Sequence, residues 1–408
     1  MINIISKAQI KSVNQGVAIT GMGIMSAIGN SVEETLSSLV NSKSGIEKIK
    51  YLETFHKDNF VVGEVKLSND ELIKLAGIGN YNRTTMLGYL AVKEALQEAS
   101  IVDIKEARTG LISSTTVAGM CHTELLYKGF FEGKNNDNFF DYHLNGVSTN
   151  NIADIFGINE FVTTINTACS SAANAMMLGA RLIKNNILDR VIVGGIDPLS
   201  KFTFNGFNTL MILDNEWCKP FDENRKGLNL GEGAAFLVLE SDKCVKEKNK
   251  KILARLIGYG NANDAFHQTA SSPEGYGAEL AMKKALTVAQ ISPDRIDYLN
   301  AHGTGTPNND ASEGIAMQTV FNNKVPKFSS TKAFTGHTLA AAAAVEAVIS
   351  ILAIQNNMIF PCLNRSEQMK NLSITPVDKL EKNVELNYVM SNSFGFGGNC
   401  SSLIFAKG

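Results

Sequence analysis

The 408-residue sequence has almost no charge imbalance, no long apolar run and no clustered cysteines. Each absence removes a class of function. A formal charge of -2 leaves no global basic field for nucleic acid, and there is no strongly acidic tail. No segment approaches the roughly 18 uninterrupted apolar residues of a membrane helix. The richest candidate, 340–354, is broken by Glu346, so no membrane span is expected. The opening "MINIISKAQIKSVNQG" lacks the apolar core and small-residue cleavage site of a signal peptide. Six cysteines, at 121, 169, 218, 244, 362 and 400, are scattered without a CxxC pair or metal-like spacing. Free thiols, no metal site and a reducing, cytoplasmic setting are therefore expected.

Apolar residues make up 44% and charged residues 19%, enough for a large buried core. Strand-like and helix-like patterns alternate. "GVAITGMG" reads as a strand entering a Gly turn, with a helix from Ser31. Residues 84–100 carry helical spacing, followed by strands at "RTGLISSTT" and "DRVIVGGID". Beyond Pro220 come "AAFLVLE", "ILARLIGYG", a helix over about 277–290, the strand "RIDYLNAHG", a helix over about 339–356 and a closing hairpin. This β–α–β alternation predicts an α/β layered fold, without a Pro- or Ser-rich linker between independent domains. The stretch 128–141 reads as a loop able to flank a site, and Ala340–Ala344 as tight helix packing.

Cys169 lies in "FVTTINTACSSAANAMMLGARLI", between a β-branched run and an apolar segment with small residues at helical spacing. The strand should end near Asn166 and a helix start at Ser170 or Ser171, either of which can cap it. A cysteine there feels the positive end of the helix dipole, which favours thiolate, on an elbow that exposes a nucleophile. A packed core cysteine is the plain alternative. Three further clusters favour chemistry. "NAHGTGTPNND" puts His302 at a strand end entering a Gly/Thr/Pro turn, where α/β proteins place ligand groups. "SSTKAFTGHTLAAAAAVE" sets Lys332 and His337 five residues apart before an apolar helix, and "SNSFGFGGNCS" is a Gly-rich turn between strands. Neither "GFGG" nor "GTGT" fits a P-loop or a dinucleotide fingerprint.

With "KPFDENRKGLNLGEGAAFLVLE" and "NDAFH", these motifs in this order resemble the β-ketoacyl-acyl-carrier-protein synthases of the thiolase superfamily, nearly end to end. The resemblance implies a thiolase-like, five-layered α-β-α-β-α fold built from two fused pseudo-symmetric halves, 1–255 and 256–408. It makes Cys169 the acyl-accepting nucleophile, His302 and His337 its partners, and Lys332 their support, with Glu346 beside the lysine. Phe396 becomes the gate of the acyl pocket, its N–H joining that of Cys169 as an oxyanion hole. Thr304 and Thr306, with Gly397 and Gly398, would line the path of the phosphopantetheine arm. No cofactor is implied beyond that arm, which belongs to an acyl carrier protein. A homodimer, or a heterodimer with a related chain-length subunit, is the expected assembly.

Departures from the family pattern border the acyl pocket: "FGGNC" stands where "FGGTN" is usual, and "SSTTVAGMCHTE" replaces a Gly-rich segment. Basic residues for docking an acidic carrier protein are few, with Lys74, Arg83 and Lys219 the candidates. Two destinations stay open: fatty-acid elongation, or a specialised polyketide, polyene or pigment pathway. A non-catalytic chain-length partner would lack the nucleophile. A thiolase would carry a second catalytic cysteine in place of one histidine, and a Cys-His hydrolase would need a positioned water.

Overall fold

The computed structural model describes residues 15–134 and 140–408. The first half runs β1 (Val17–Ser26), α1 (Arg83–Glu98), β2 (Thr109–Ser114), α2 (Gly146–Phe156), β3 (Phe161–Ile165), α3 (Ser171–Lys184), β4 (Arg190–Asp197) and β5 (Gly233–Glu240). The second runs β6 (Ala254–Asn263), α4 (Tyr276–Ala289), β7 (Tyr298–Asn300), α5 (Pro307–Val320), β8 (Lys327–Ser329), α6 (Ala342–Asn356), β9 (Tyr388–Phe394) and β10 (Asn399–Lys407). The strands hydrogen-bond in the order β8-β7-β9-β10-β6-β1-β5-β4-β2-β3. In each half three parallel strands are followed by two antiparallel ones. Adding five to a strand number, or three to a helix number, turns the first half into the second.

Three apolar cores separate five layers. One lies between α1–α2 and the outer face of the first half-sheet, and another between α4–α5 and that of the second. The largest surrounds α3 and α6, which are sandwiched between the two half-sheets. Helix α6 is therefore apolar nearly all round, as burial from every side requires, whereas α3 exposes Arg181 and Lys184 near its end. The helix over residues 339–356 is apolar and long enough to cross a membrane, yet it is buried almost throughout. Its one charge, Glu346, is paired inside the protein.

Among the described residues, the half-sheets pair where Val17–Ile19 of β1 meet Ala254–Leu256 of β6. Beyond that seam the N–H groups of Met22 and Ile24 donate instead to Glu98 and Glu94 of α1, at 2.8 and 2.9 Å. Strand β1 does not turn at its glycines, as "GVAITGMG" had suggested; it continues through them, with a shift in pairing register between Ile19 and Gly21. Their purpose is helix approach, since a Cβ on Gly21 or Gly23 would lie 2.1 Å from the carbonyl oxygen of Ala95 or Ala91. The predicted helix start at Ser31 is present, with Ser31 accepting from the Glu34 N–H. The segment expected to be a loop over 128–141 is helical up to Phe131, and 135–139 lie outside the described residues.

Candidate active site

Four junctions at one end of the halves supply the site: β3–α3 carries Cys169, β7–α5 His302, β8–α6 Lys332 and His337, and β9–β10 Phe396. The Cys169 elbow is built by Ala168, whose φ of +54° lies in the left-handed region that costs a non-glycine residue about 1–2 kcal/mol. Ser170 and Ser171 do not cap α3 as expected. Their hydroxyls turn back to the carbonyls of Thr167 and Ala168, and Ser170 also donates to Asn399 at 2.7 Å. They pin the elbow instead of the helix. We expect Ala168→Gly to be neutral or stabilising by up to about 1 kcal/mol, and Ala168→Val to cost about 2 kcal/mol. Denaturant titration of both variants reads the difference; equal stabilities would mean the elbow is unstrained.

The His337 Nε2 lies 3.0 Å from the Cys169 Sγ, and the two histidine rings meet edge to face at 5.3 Å. Lys332 Nζ donates to the His302 carbonyl oxygen at 2.6 Å, stands 3.3 Å from His302 Nδ1 and pairs with Glu346. With Nδ1 facing a cation, His302 carries its proton on Nε2. Burial, with Lys332 nearby, holds both imidazoles well below their ordinary range, so both are neutral. Thiolate was expected from the helix dipole, but burial outweighs it and pushes the Cys169 thiol up to about 12. Lys332 and the N–H groups of Phe396 and Cys169 itself pull the other way. The resting pair is thus thiol and neutral imidazole. The same two N–H groups converge on Sγ, where the oxyanion of an acyl adduct would form.

Sequence reading missed Glu313 and Asp197. Glu313 accepts from the His302 and Gly303 N–H groups at 2.9 and 2.8 Å, and from Asn392 at 3.1 Å. Burial pushes it up to about 7. Asp310, one turn earlier on α5, accepts from Gly305 and Phe221. The readable signal was two acids at i and i+3 behind a Gly-rich turn whose amides need acceptors. Asp197, at the end of β4, binds Thr115, Thr116 and the Ala340 N–H, tying a first-half loop to the start of α6.

A chamber of about 370 Å³ contains Cys169, His302 and His337, with Thr304 and Thr306 in its wall. The two threonine hydroxyls lie 2.9 Å apart. Gly397 and Gly398, both at positive φ, complete the wall beside Phe396. Cys400 also lines the chamber, but beside it stand Asp264 and Glu313, which push its thiol up together with burial, whereas Lys332 and two backbone N–H groups draw the Cys169 thiol down. A second, mostly apolar cavity of about 480 Å³ adjoins Cys169 and is lined by Thr116, Val117, Met120, Phe207 and Phe396. Of the expected docking charges, Arg83 is removed: it is buried against Glu232 at 2.5 Å, while Lys74 remains exposed.

A soft nucleophile with convergent backbone donors, faced by paired imidazoles, suits carbon–carbon bond formation between thioesters and places the chain among acyl-transferring condensing enzymes of thiolase-like fold. Comparison with known proteins agrees. The family model described as "Beta-ketoacyl synthase, N-terminal domain" matches residues 14–244, and "Beta-ketoacyl synthase, C-terminal domain" matches 253–366. The chain belongs to the β-ketoacyl synthase family. It is 32% identical to the 3-oxoacyl-[acyl-carrier-protein] synthase 2 of Staphylococcus aureus, over 97% of this chain and 99% of the relative. Among solved structures, the ishigamide ketosynthase/chain length factor superposes with a TM-score of 0.89 at 28% identity, over 97% of this chain and 100% of the other. AntDE:AntF, a type II acyl-carrier protein in complex with its hexaketide-bound ketosynthase, does so at 0.86 and 25%, with the same coverage.

Proposed function

We propose that the chain condenses an acyl group held on Cys169 with a malonyl group held on an acyl carrier protein, giving a 3-oxoacyl thioester and carbon dioxide. The carrying observation is His337 in contact with the Cys169 thiol while facing a second neutral imidazole, His302, across one chamber. In the loading step Sγ attacks the thioester carbonyl, its proton passes by way of His337 to the leaving carrier thiolate, and the acyl chain enters the apolar cavity. The malonyl thioester then occupies the vacated chamber, its arm running past Thr304, Thr306, Gly397 and Gly398. Loss of carbon dioxide leaves the bonding pair on an enolate, whose oxygen accepts from the His302 Nε2–H and from His337 in the tautomer that carries its proton on Nε2. The enolate carbon attacks the acyl-Cys169 carbonyl, the N–H groups of Cys169 and Phe396 hold the oxyanion, and Cys169 departs as thiolate and takes a proton from solvent, one proton being consumed per condensation. Each such donor contributes about 3 kcal/mol in comparable sites. Lys332, Glu346 and Glu313 position the histidines.

This chemistry asks for no cofactor beyond the carrier's phosphopantetheine arm. The six thiols, all free, fit a cytoplasmic enzyme. The partners are an acyl carrier protein and a second subunit, either a copy of this chain or a related chain-length subunit. Two of the structures it superposes on, a ketosynthase/chain length factor and a ketosynthase with its carrier protein, support both. The same likeness supports a specialised polyketide pathway beside fatty-acid elongation.

Release of carbon dioxide and formation of the 3-oxoacyl product, followed together against pH, test this reading. Both imidazoles are held well below 6.5, so their protonation should slow decarboxylation only in more acidic solution, whereas a limb near neutral pH belongs to Glu313 and Glu346, which burial pushes up to about 7. A limb at or above 6.5 that survives both Glu313→Gln and Glu346→Gln, or product without carbon dioxide, would overturn it.

A further inference from the structure

We infer that Phe207 is the second leaf of the gate between the two cavities, and so sets how readily an acyl chain passes to its binding cavity; this rests on the condensing function proposed above. The chamber holding His302 and His337 and the apolar cavity beyond it share four wall residues: Cys169, Phe207, Leu210 and Phe396. Where the cavities meet, the Phe207 and Phe396 rings stack at 5.7 Å between centroids and 16° between planes. The pair stands beside Cys169, where an acyl group on its sulfur would pass from the chamber into the apolar cavity.

The two leaves are mounted differently. Phe396 opens the Gly-rich turn, with its N–H drawn toward the Cys169 Sγ. Behind it the turn is tied to the 263–268 loop: Gly397 N–H donates to the Gln268 carbonyl, Asn263 to the Gly397 carbonyl, and Asp264 N–H to the Gly398 carbonyl. A Cβ on Gly397 would meet nothing within 4 Å. Phe207 projects from the helix Lys201–Thr209, whose first turn is fixed by the Ser200 cap and by Glu124 accepting from the Lys201 and Phe202 N–H groups. Next to it, Gly206 has open space where a side chain would stand. The two leaves thus sit on separately anchored segments, the turn and the helix, and face each other where the cavities join. Both rings are only half-buried, so the closed state depends on the stack more than on burial. An offset aromatic pair of this kind shifts an open–closed equilibrium about two- to tenfold, weak enough for a substrate to open and strong enough to keep the door shut between turnovers.

The test compares two half-reactions in single turnover: acylation of Cys169 from acyl-carrier protein, where the chain must cross the gate, and decarboxylation of malonyl-carrier protein, confined to the chamber. Phe207→Leu keeps the apolar bulk and loses the stack, whereas Phe207→Tyr keeps the stack. The leucine variant should raise the ratio of acylation to decarboxylation about two- to tenfold, and the tyrosine variant should retain the wild-type ratio. The inference fails if the leucine variant leaves the ratio unchanged, or if both variants shift it equally. A thermal midpoint for each variant separates a folding defect, which lowers both half-reactions together, from gating. Failure of the condensing function would show already in the wild-type protein, which would perform neither half-reaction.

Discussion

Cys169→Ala should show no acyl adduct by intact mass spectrometry after incubation with acyl-carrier-protein thioesters, and condensation should fall by about 10⁴-fold or more. The expectation follows from what the elbow does. It places one sulfur where two backbone N–H groups and one imidazole converge, and no other thiol among the described residues has that set. Cys400 shares the chamber wall, but it lies beside carboxylates and lacks those donors. The variant should still decarboxylate malonyl thioester, since His302 and His337 take their positions from Glu313, Lys332 and the Asn229 carbonyl and not from the thiol. Condensation that survives, or decarboxylation that disappears with the thiol, would each refute the division of labour. With the wild-type protein, the same experiment run over saturated, polyenoyl and aryl acyl groups reads out the pathway. Loading of saturated chains marks fatty-acid elongation, and loading of unsaturated or aryl groups alone marks a specialised route.

Lys332→Met should cost about 3–5 kcal/mol of stability and reduce decarboxylation about 10²-fold or more. Lys332 and Glu346 are both buried and paired, so removing the ammonium leaves a carboxylate in apolar surroundings without its counter-charge. Burial already pushes Glu346 upward and Lys332 pulls it back. Without the lysine, Glu346 takes up a proton at higher pH. A carboxyl whose folded pKa lies above its unfolded value destabilises the fold progressively as pH rises past the unfolded value and fully above the folded one, so the variant should regain stability on acidification from neutral pH toward 4.5. The double variant Lys332→Met with Glu346→Gln removes both charges and should recover most of the stability. Activity should stay low in it, because His302 has lost the ammonium that holds its carbonyl and directs its Nε2 proton toward the substrate. Denaturant titrations with parallel decarboxylation assays decide this. Recovery of both properties in the double variant would show that the lysine serves folding alone.

The alternation of elements was legible because each half is a plain β–α–β sequence, and strands as long as "AAFLVLE" leave little ambiguity. His302 and Phe396 could be singled out because each follows a strand end and precedes a glycine, where chemistry and turn-forming residues coincide. Other features depend on partners far away in sequence. Glu313 is one carboxylate on a mixed helix until the His302 amide is seen to need it. Ser170 and Ser171 look like helix caps because nothing local reveals Asn399 across the sheet. The Cys169 thiol was misjudged for a related reason: a helix dipole can be read from a sequence, but the depth of burial opposing it cannot. Arg83, taken for a surface charge, meets Glu232 across 149 residues of chain.

The correspondence between the two halves bears on descent. The β3–α3 junction carries Cys169, and its counterpart β8–α6 carries Lys332 and His337. The β7–α5 junction carries His302, Thr304 and Thr306, whereas its counterpart β2–α2 contributes Thr116, Val117 and Met120 to the apolar cavity. A duplicated ancestor would have begun with both copies of this connection alike. One copy is now held by the reaction. The other can lengthen, shorten or change its side chains under selection for a new cargo while the condensing apparatus stays intact.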